Sequence, residues 1–98
     1  MKDNQALIVV DVQKDFLETG ALPVKEGSQV VPVINRIIPK FKNVVFTQDW
    51  HPQGHISFAS SHPGIAPYST IDVSYGKQVL WPEHCVQNTS GAEFAEGL

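Results

Sequence analysis

Two short, mainly apolar runs stand out along the chain, and each of them ends at an aspartate. The first run, residues 6–10, is apolar throughout, is rich in β-branched residues and is followed by Asp11; the second, residues 44–48, begins Val-Val-Phe, ends in Thr-Gln and is followed by Asp49. Apolar runs of this length without polar alternation are typical of strands that are covered on both faces, as in a parallel sheet. We therefore predict two buried strands, at 6–10 and 44–48.

Between the two runs, the apolar residues recur at helical spacing. Ser28 is a candidate N-cap, Pro32 would lie in the first turns where a missing N–H costs little, and Pro39 should end or kink the helix. The apolar positions of this amphipathic helix are Val30, Val33, Ile34, Ile37, Ile38 and Phe41. Strand, helix and strand form a βαβ unit with parallel strands, so Asp11 and Asp49 should meet at the carboxyl edge of the sheet, where ligands bind.

The rest of the chain predicts little regular structure. Residues 50–82 are rich in Pro and Gly and read as a long loop, in which Tyr68–Val73 is a candidate extended segment, and Ser90 is placed to open a short helix. Two strands and one helix do not close a core. We therefore expect residues 1–98 to be the N-terminal portion of a single α/β domain, with the C-terminal portion missing.

Composition narrows the functional classes. The chain has 98 residues, 42% of them apolar and 17% charged, which is typical of a globular protein. A net charge of −3 with scattered Lys and Arg argues against nucleic acid or an anionic membrane as partner. Cys85 is the single cysteine, so no internal disulfide forms, and the N-terminal apolar run is too short for a signal peptide. The expected location is the cytoplasm.

The residues best suited to chemistry are a carboxylate and three imidazoles in two loop-like segments. Asp49, His51 and His55 form D-x-H-x-x-x-H, and His84 is the candidate fourth ligand. Imidazole and carboxylate together suit zinc, iron or manganese, so the set predicts a divalent-metal site. The alternative is that they are loop residues with ordinary hydrogen bonds. His62 is expected to face solvent, although it could replace one of the four.

Three sequence blocks together resemble the nicotinamidase (pyrazinamidase) branch of the isochorismatase-like cysteine hydrolases. The blocks are Asp11-Val12-Gln13-Lys14-Asp15-Phe16, then Gln48-Asp49-Trp50-His51-Pro52 with His55 and Ser57-Phe58, and then Trp81-Pro82-Glu83-His84-Cys85-Val86-Gln87-Asn88. They occur in the order of the family and cover nearly the whole chain. The resemblance implies a three-layer α/β fold with a parallel sheet, of which this chain would be an N-terminal fragment.

The resemblance also implies a reaction, the hydrolysis of nicotinamide to nicotinate and ammonia through a cysteine thioester. In the family an aspartate matching Asp11 accepts the proton of that cysteine, and a lysine completes the triad. The metal held by the residues matching Asp49, His51, His55 and His84 orients the pyridine ring, which aromatic residues matching Phe16 and Trp81 help to enclose. A thiolate with a nearby base splits a hard amide hydrolysis into two easier steps.

The chain departs from this pattern in its nucleophile. In the family the lysine and the catalytic cysteine follow the His-Cys block; Lys77 precedes that block, and Cys85 matches a cysteine that is not the nucleophile. We interpret Cys85 as a small, half-buried structural residue and predict that the 98-residue chain alone has no amidase activity. Two alternatives are a metal-binding fragment without catalysis and a metal-free isochorismatase-like hydrolase. The expected partner is a small-molecule substrate, and homo-oligomer formation is left open.

Overall fold

The computed structural model describes residues 2–98, and its central feature is a pair of parallel strands. β1 (Lys2–Val9) pairs with β2 (Phe41–Phe46), with Leu7, Ile8 and Val9 opposite Val44, Val45 and Phe46. The parallel pairing confirms the prediction. β2 begins and ends earlier than predicted, so that a short non-strand segment separates Phe46 from Asp49.

The predicted helix is present but shorter. Helix α1 (Val30–Ile37) lies between two 3₁₀ turns, Gly27–Gln29 and Ile38–Lys40, and the second turn contains the proline that ends the α-helix. The prediction of Ser28 as N-cap is wrong. Its hydroxyl donates to Glu18 Oε2 at 2.5 Å and its N–H to Glu18 Oε1 at 3.0 Å, which leaves Gln29 at the cap position.

The long segment predicted as a loop contains a hairpin. β3 (Thr70–Val73) and β4 (Gly76–Val79) pair antiparallel, with Val73 opposite Gly76. The extended segment predicted at 68–73 therefore exists, but its partner strand was missed because Lys77 and Gln78 interrupt any apolar pattern. Further 3₁₀ turns lie at Lys14–Phe16, Ala59–Ser61 and Ser90–Ala92, and the last replaces the predicted short helix.

The buried core lies among the loops that follow the strands. The largest fully buried side chains are Phe58, Leu80, Gln13 and Cys85. In β1, Val9 is buried, whereas Ile8 is 60% exposed, and its register partner Val45 is 51% exposed. Within residues 2–98 the strands are not covered on both faces, because one face of the two-stranded sheet has no layer packed on it. This agrees with the expectation that two strands and one helix do not close a core. No helix within residues 2–98 is long and apolar enough to cross a membrane.

Candidate metal centre

Backbone hydrogen bonds bring the two loops with the predicted ligands side by side. The His51 N–H donates to the Cys85 carbonyl at 2.8 Å, and the Gln87 N–H donates to the His51 carbonyl at 2.8 Å. These bonds form a short parallel bridge just beyond the end of β2. The segment after β2 is thereby fixed next to the segment that carries His84.

Three of the four predicted ligands converge. Ligand atoms of Asp49, His51 and His84 all lie within 4.8 Å of one another. His51 Nε2 lies 3.5 Å from Asp49 Oδ1, and His84 Nε2 lies 3.7 Å from Asp49 Oδ2. These separations are long for hydrogen bonds, but they suit ligands that each stand about 2.0–2.2 Å from a shared cation.

The hydrogen bonds of the His51 and His84 rings determine which nitrogen of each ring can offer a lone pair to a cation. His51 Nδ1 lies 3.1 Å from the His84 carbonyl, and His84 Nδ1 lies 2.8 Å from the Pro82 carbonyl. Carbonyl oxygens only accept, so both Nδ1 atoms carry a proton, and in the neutral rings both Nε2 atoms carry the lone pair. Two lone pairs and a carboxylate that face one another are the donor set that a divalent cation requires, and ligating histidines are oriented by such bonds.

The fourth predicted ligand, His55, lies beside this group. Its ring centroid is 5.0 Å from that of His51. The Ser57 N–H donates to His55 Nδ1 at 3.1 Å, and the Ser57 Oγ lies 2.7 Å from the same nitrogen. Because an N–H can only donate, Nδ1 is an acceptor and the proton of the neutral ring lies on Nε2. His62 is also outside the group, with its Nε2 2.7 Å from the Ile56 carbonyl.

The Phe58 ring packs against the three imidazoles, a role that the sequence did not reveal. Its side chain is fully buried, and its ring centroid lies 5.1 Å from that of His51, 5.6 Å from that of His84 and 5.9 Å from that of His55. The only signal was its place directly after Ser57 in the second motif. A rigid aromatic side chain here limits the ring orientations that the histidines can adopt.

The loop after β1 supports the cluster without contributing a ligand to it. The side-chain amide of Gln13 is fully buried and bonds both the N–H and the carbonyl of Asp49, each at 2.8 Å. The Asp15 carboxylate accepts the Cys85 N–H at 2.8 Å. A Cβ on Gly91 would overlap that carboxylate, so the approach requires glycine there. The sequence alone did not single out Gln13.

Asp11 and Phe16 line one cavity of about 340 Å³. Asp11 lies two residues after the end of β1 with φ of 53°, and its Oδ1 accepts a hydrogen bond from the Thr47 hydroxyl at 2.7 Å. The ring centroid of Phe16 is 5.6 Å from that of His84. Phe16 therefore lies between the cavity that Asp11 lines and the three-ligand cluster.

Trp81 lies next to the loop that carries His55. Its backbone N–H donates to the Ser57 carbonyl at 2.9 Å, and its backbone carbonyl accepts the Ala59 N–H at 2.8 Å. Its ring packs edge-on against that of Tyr68, with 6.1 Å between the ring centroids. Within residues 2–98, the Trp81 ring contacts the ring of Tyr68, whereas the Phe16 ring contacts the ring of His84. The two aromatic residues expected to enclose one ring thus have different neighbours.

The single thiol is buried and held in its neutral form. Cys85 has no exposed surface and a φ of 49°. Burial raises its pKa to about 12, and the charges of Asp15, Asp49 and Asp11 add to this effect. A neutral thiol is a poor nucleophile, in agreement with the interpretation of Cys85 as structural, although it is more deeply buried than predicted.

Comparison with known proteins gives the family to which this chain belongs. Residues 5–98 match the model of the isochorismatase domain, and the chain belongs to that family. It is 53% identical over 96 residues to a nicotinamidase of Acinetobacter baylyi, an alignment that covers 98% of this chain and 45% of that protein. The resemblance to nicotinamidases inferred from the sequence is confirmed.

Solved structures support the same fold. A nicotinamidase/pyrazinamidase from Acinetobacter baumanii superposes with a TM-score of 0.95 at 52% identity, over all of this chain and 47% of that one. A pyrazinamidase of Pyrococcus horikoshii in complex with zinc gives a TM-score of 0.71 at 47% identity, over 92% of this chain and 44% of that one. The isochorismatase-like fold is thus confirmed, and the chain spans about half the length of the curated relatives it matches.

Proposed function

We propose that this chain supplies the metal centre and the general base of a nicotinamidase, which hydrolyses nicotinamide to nicotinate and ammonia. The observation that carries the proposal is the convergence of Asp49, His51 and His84, with both Nε2 lone pairs directed at the carboxylate. Similarity to nicotinamidases over nearly the whole chain supports nicotinamide as the substrate. Nicotinamide is a flat heterocycle, which suits a cavity with an aromatic wall.

The donor set fits a divalent ion, and we propose zinc. Two imidazoles and a carboxylate leave a fourth position of a tetrahedral site open, which is the arrangement of ligand-binding zinc centres. Iron and manganese accept the same donors and are the alternatives. When bound, such an ion supplies a Lewis-acid contact that orients the pyridine nitrogen of the substrate. His55 stands next to this position, and its Nε2 becomes available as a fourth ligand when the ring proton moves to Nδ1, where it can be donated to Ser57 Oγ.

The remaining roles fall to residues around the cavity. We propose Asp11 as the proton acceptor, since its carboxylate lines the cavity and the Thr47 hydroxyl holds one of its oxygens. Phe16 is placed to pack against the substrate ring. Trp81 is proposed to close the opposite side, next to the His55 loop. The attacking thiolate is not Cys85, and we propose that it comes from the part of the relatives' length that this chain does not span.

The cellular setting follows as a proposal from the reaction. Nicotinamide deamidation belongs to the recycling of pyridine nucleotides, and we propose a cytoplasmic enzyme that serves NAD biosynthesis. The net charge of −3 gives no electrostatic attraction to nucleic acid or to an anionic membrane.

A chimera tests the function directly. The aligned 96 residues of the Acinetobacter baylyi nicotinamidase are replaced by those of this chain, and ammonia release from nicotinamide is measured. We expect an active chimera that loses at least about 10²-fold in kcat/KM with Asp11→Asn, because the general base is removed. The matched control is Asp72→Asn, since Asp72 is an exposed carboxylate paired with Lys77 in the hairpin.

Three results would contradict the proposal. A folded chimera that binds zinc and releases no ammonia would favour a metal-binding segment without catalysis. A chimera that keeps full activity with His84→Ala and without metal would favour a metal-free isochorismatase-like hydrolase. Ammonia release by the 98-residue chain itself, above that of its Cys85→Ala variant, would return Cys85 to the role of nucleophile.

A further inference from the structure

Gln13 is a buried polar residue whose side-chain hydrogen bonds all go to the backbone of Asp49 and Ala92. Its amide N–H groups donate to the carbonyls of Asp49 and Ala92, both at 2.8 Å, and its Oε1 accepts the Asp49 N–H at 2.8 Å. We propose that Gln13 is the positioning residue that holds the ligand Asp49 in its metal-binding orientation. The proposal deepens the proposed function, because it rests on the metal centre.

The bonding pattern leaves one orientation for the Gln13 amide. Both carbonyl partners need a donor and the Asp49 N–H needs an acceptor, so both amide N–H groups and one lone pair of Oε1 are assigned. The side chain is fully buried, so loss of a partner would leave a desolvated polar atom without compensation.

The position of Asp49 explains why such a clamp is needed. β2 ends at Phe46, so the bonds of the parallel sheet do not hold the Asp49 backbone. Gln13 replaces them by bonding the N–H and the carbonyl of this one residue, which fixes the Asp49 backbone and with it the direction in which the Cα–Cβ bond leaves the chain. Gln13 itself follows the end of β1, where its own N–H bonds the Asp11 carbonyl at 3.0 Å. The clamp thus joins the ends of both strands.

The chain offers a matched control in Gln48. Its Nε2 donates to the same Ala92 carbonyl at 2.8 Å, from an exposed residue. Gln48→Ala removes a bond to Ala92 and leaves the clamp on Asp49 in place. Gln13→Ala removes the clamp, and Gln13→Glu keeps the size of the side chain and the acceptor but loses both donors. The comparison separates support of Asp49 from support of the Ala92 turn.

Titration of the full 98-residue chain with Co²⁺ tests the proposal, with the dissociation constant and the visible absorption of the bound ion as readouts. We expect wild type and Gln48→Ala to bind alike, and both Gln13 variants to bind about 10- to 100-fold more weakly, the usual effect of losing a residue that orients a ligand. At saturating Co²⁺, the Gln13 variants should also show a changed absorption spectrum, since the carboxylate is no longer fixed.

Each other outcome has a distinct meaning. Unchanged affinity and spectrum in a folded Gln13 variant would overturn the positioning role alone. Loss of the far-ultraviolet circular dichroism of both Gln13 variants, but not of Gln48→Ala, would also overturn it, because Gln13 would then support the whole fold. A wild-type chain that binds no Co²⁺ would refute the metal centre and, with it, the proposed function.

Discussion

At the scale of single residues, the candidate site depends on which atom of each side chain is already bonded. The motif identified Asp49, His51 and His84 as donors, because their chemistry can be read from residue type and spacing. Their Nε2 direction could not be read, since carbonyls brought near by the fold decide it. The same limit applies to His55, whose Nδ1 is engaged by Ser57.

Gln13 and Phe58 illustrate what sequence reasoning leaves out. Neither is a metal ligand or a nucleophile by type, so chemistry alone gave no reason to select them. Their importance comes from long-range contacts: Gln13 reaches Asp49, 36 positions away, and Phe58 packs under three imidazoles. Supporting residues of this kind become visible only when distant segments are placed together.

The reactivity of Cys85 is a prediction at this scale. With its pKa raised from 9.0 to about 12, the thiol should react with iodoacetamide at pH 8 about 10³-fold more slowly in the folded chain than in urea, with EDTA present in both. The folded chain keeps this proton where the unfolded chain loses it, so the thiol lowers stability progressively as the pH rises from about 9 towards 12. Equal alkylation rates in the two states would contradict the buried, neutral thiol.

At the scale of elements, the βαβ unit was predictable because hydrophobic periodicity carries its signal. The buried side of α1 was predicted less well. Val31 and Ile34 are buried, whereas Val30 and Val33 are 40% and 43% exposed. All four are apolar, so spacing alone did not decide which side faces the core. The hairpin was missed for the opposite reason, since the polar residues of β4 give no periodic signal.

The packing of α1 gives a second prediction. Ile34→Ala should lower the free energy of unfolding by about 2–4 kcal/mol, because a buried branched side chain leaves a cavity. Val33→Ala, one position earlier on the same helix and exposed, should change it by less than about 0.5 kcal/mol. Urea unfolding followed by circular dichroism measures both. Equal effects of the two substitutions would show that α1 packs through a different side.

At the scale of the whole molecule, the burial of apolar side chains differs between the loop region and the sheet. The buried side chains gather where the loops after β1 and β2 meet residues 80–95, and this is also where the candidate ligands lie. One face of the sheet exposes Ile8 and Val45, and Val10 just beyond β1 is 64% exposed. Adjacent exposed apolar side chains of this kind mark a surface that is normally covered. The sequence predicted strands that need covering on both faces, and it also predicted that two strands and one helix do not supply enough neighbours to cover them.

The candidate site is where segments that are distant in the sequence are joined by hydrogen bonds. Gln13, Asp49 and His84 come from three separate segments, and hydrogen bonds link the segments directly. A metal ion bound there would join all of them, so it should stabilise the folded chain as well as prepare the site. The account as a whole depends on whether that ion binds where the three ligands converge.

Equilibrium dialysis of the 98-residue chain against Zn²⁺ measures this most directly, with His84→Ala and His62→Ala as the paired variants. His84 lies in the cluster, and His62 lies outside it with its Nε2 bonded to the Ile56 carbonyl. We expect one zinc ion per chain for wild type and for His62→Ala, and loss of binding for His84→Ala. A wild-type chain that retains no zinc, or equal retention by the two variants, would contradict the account.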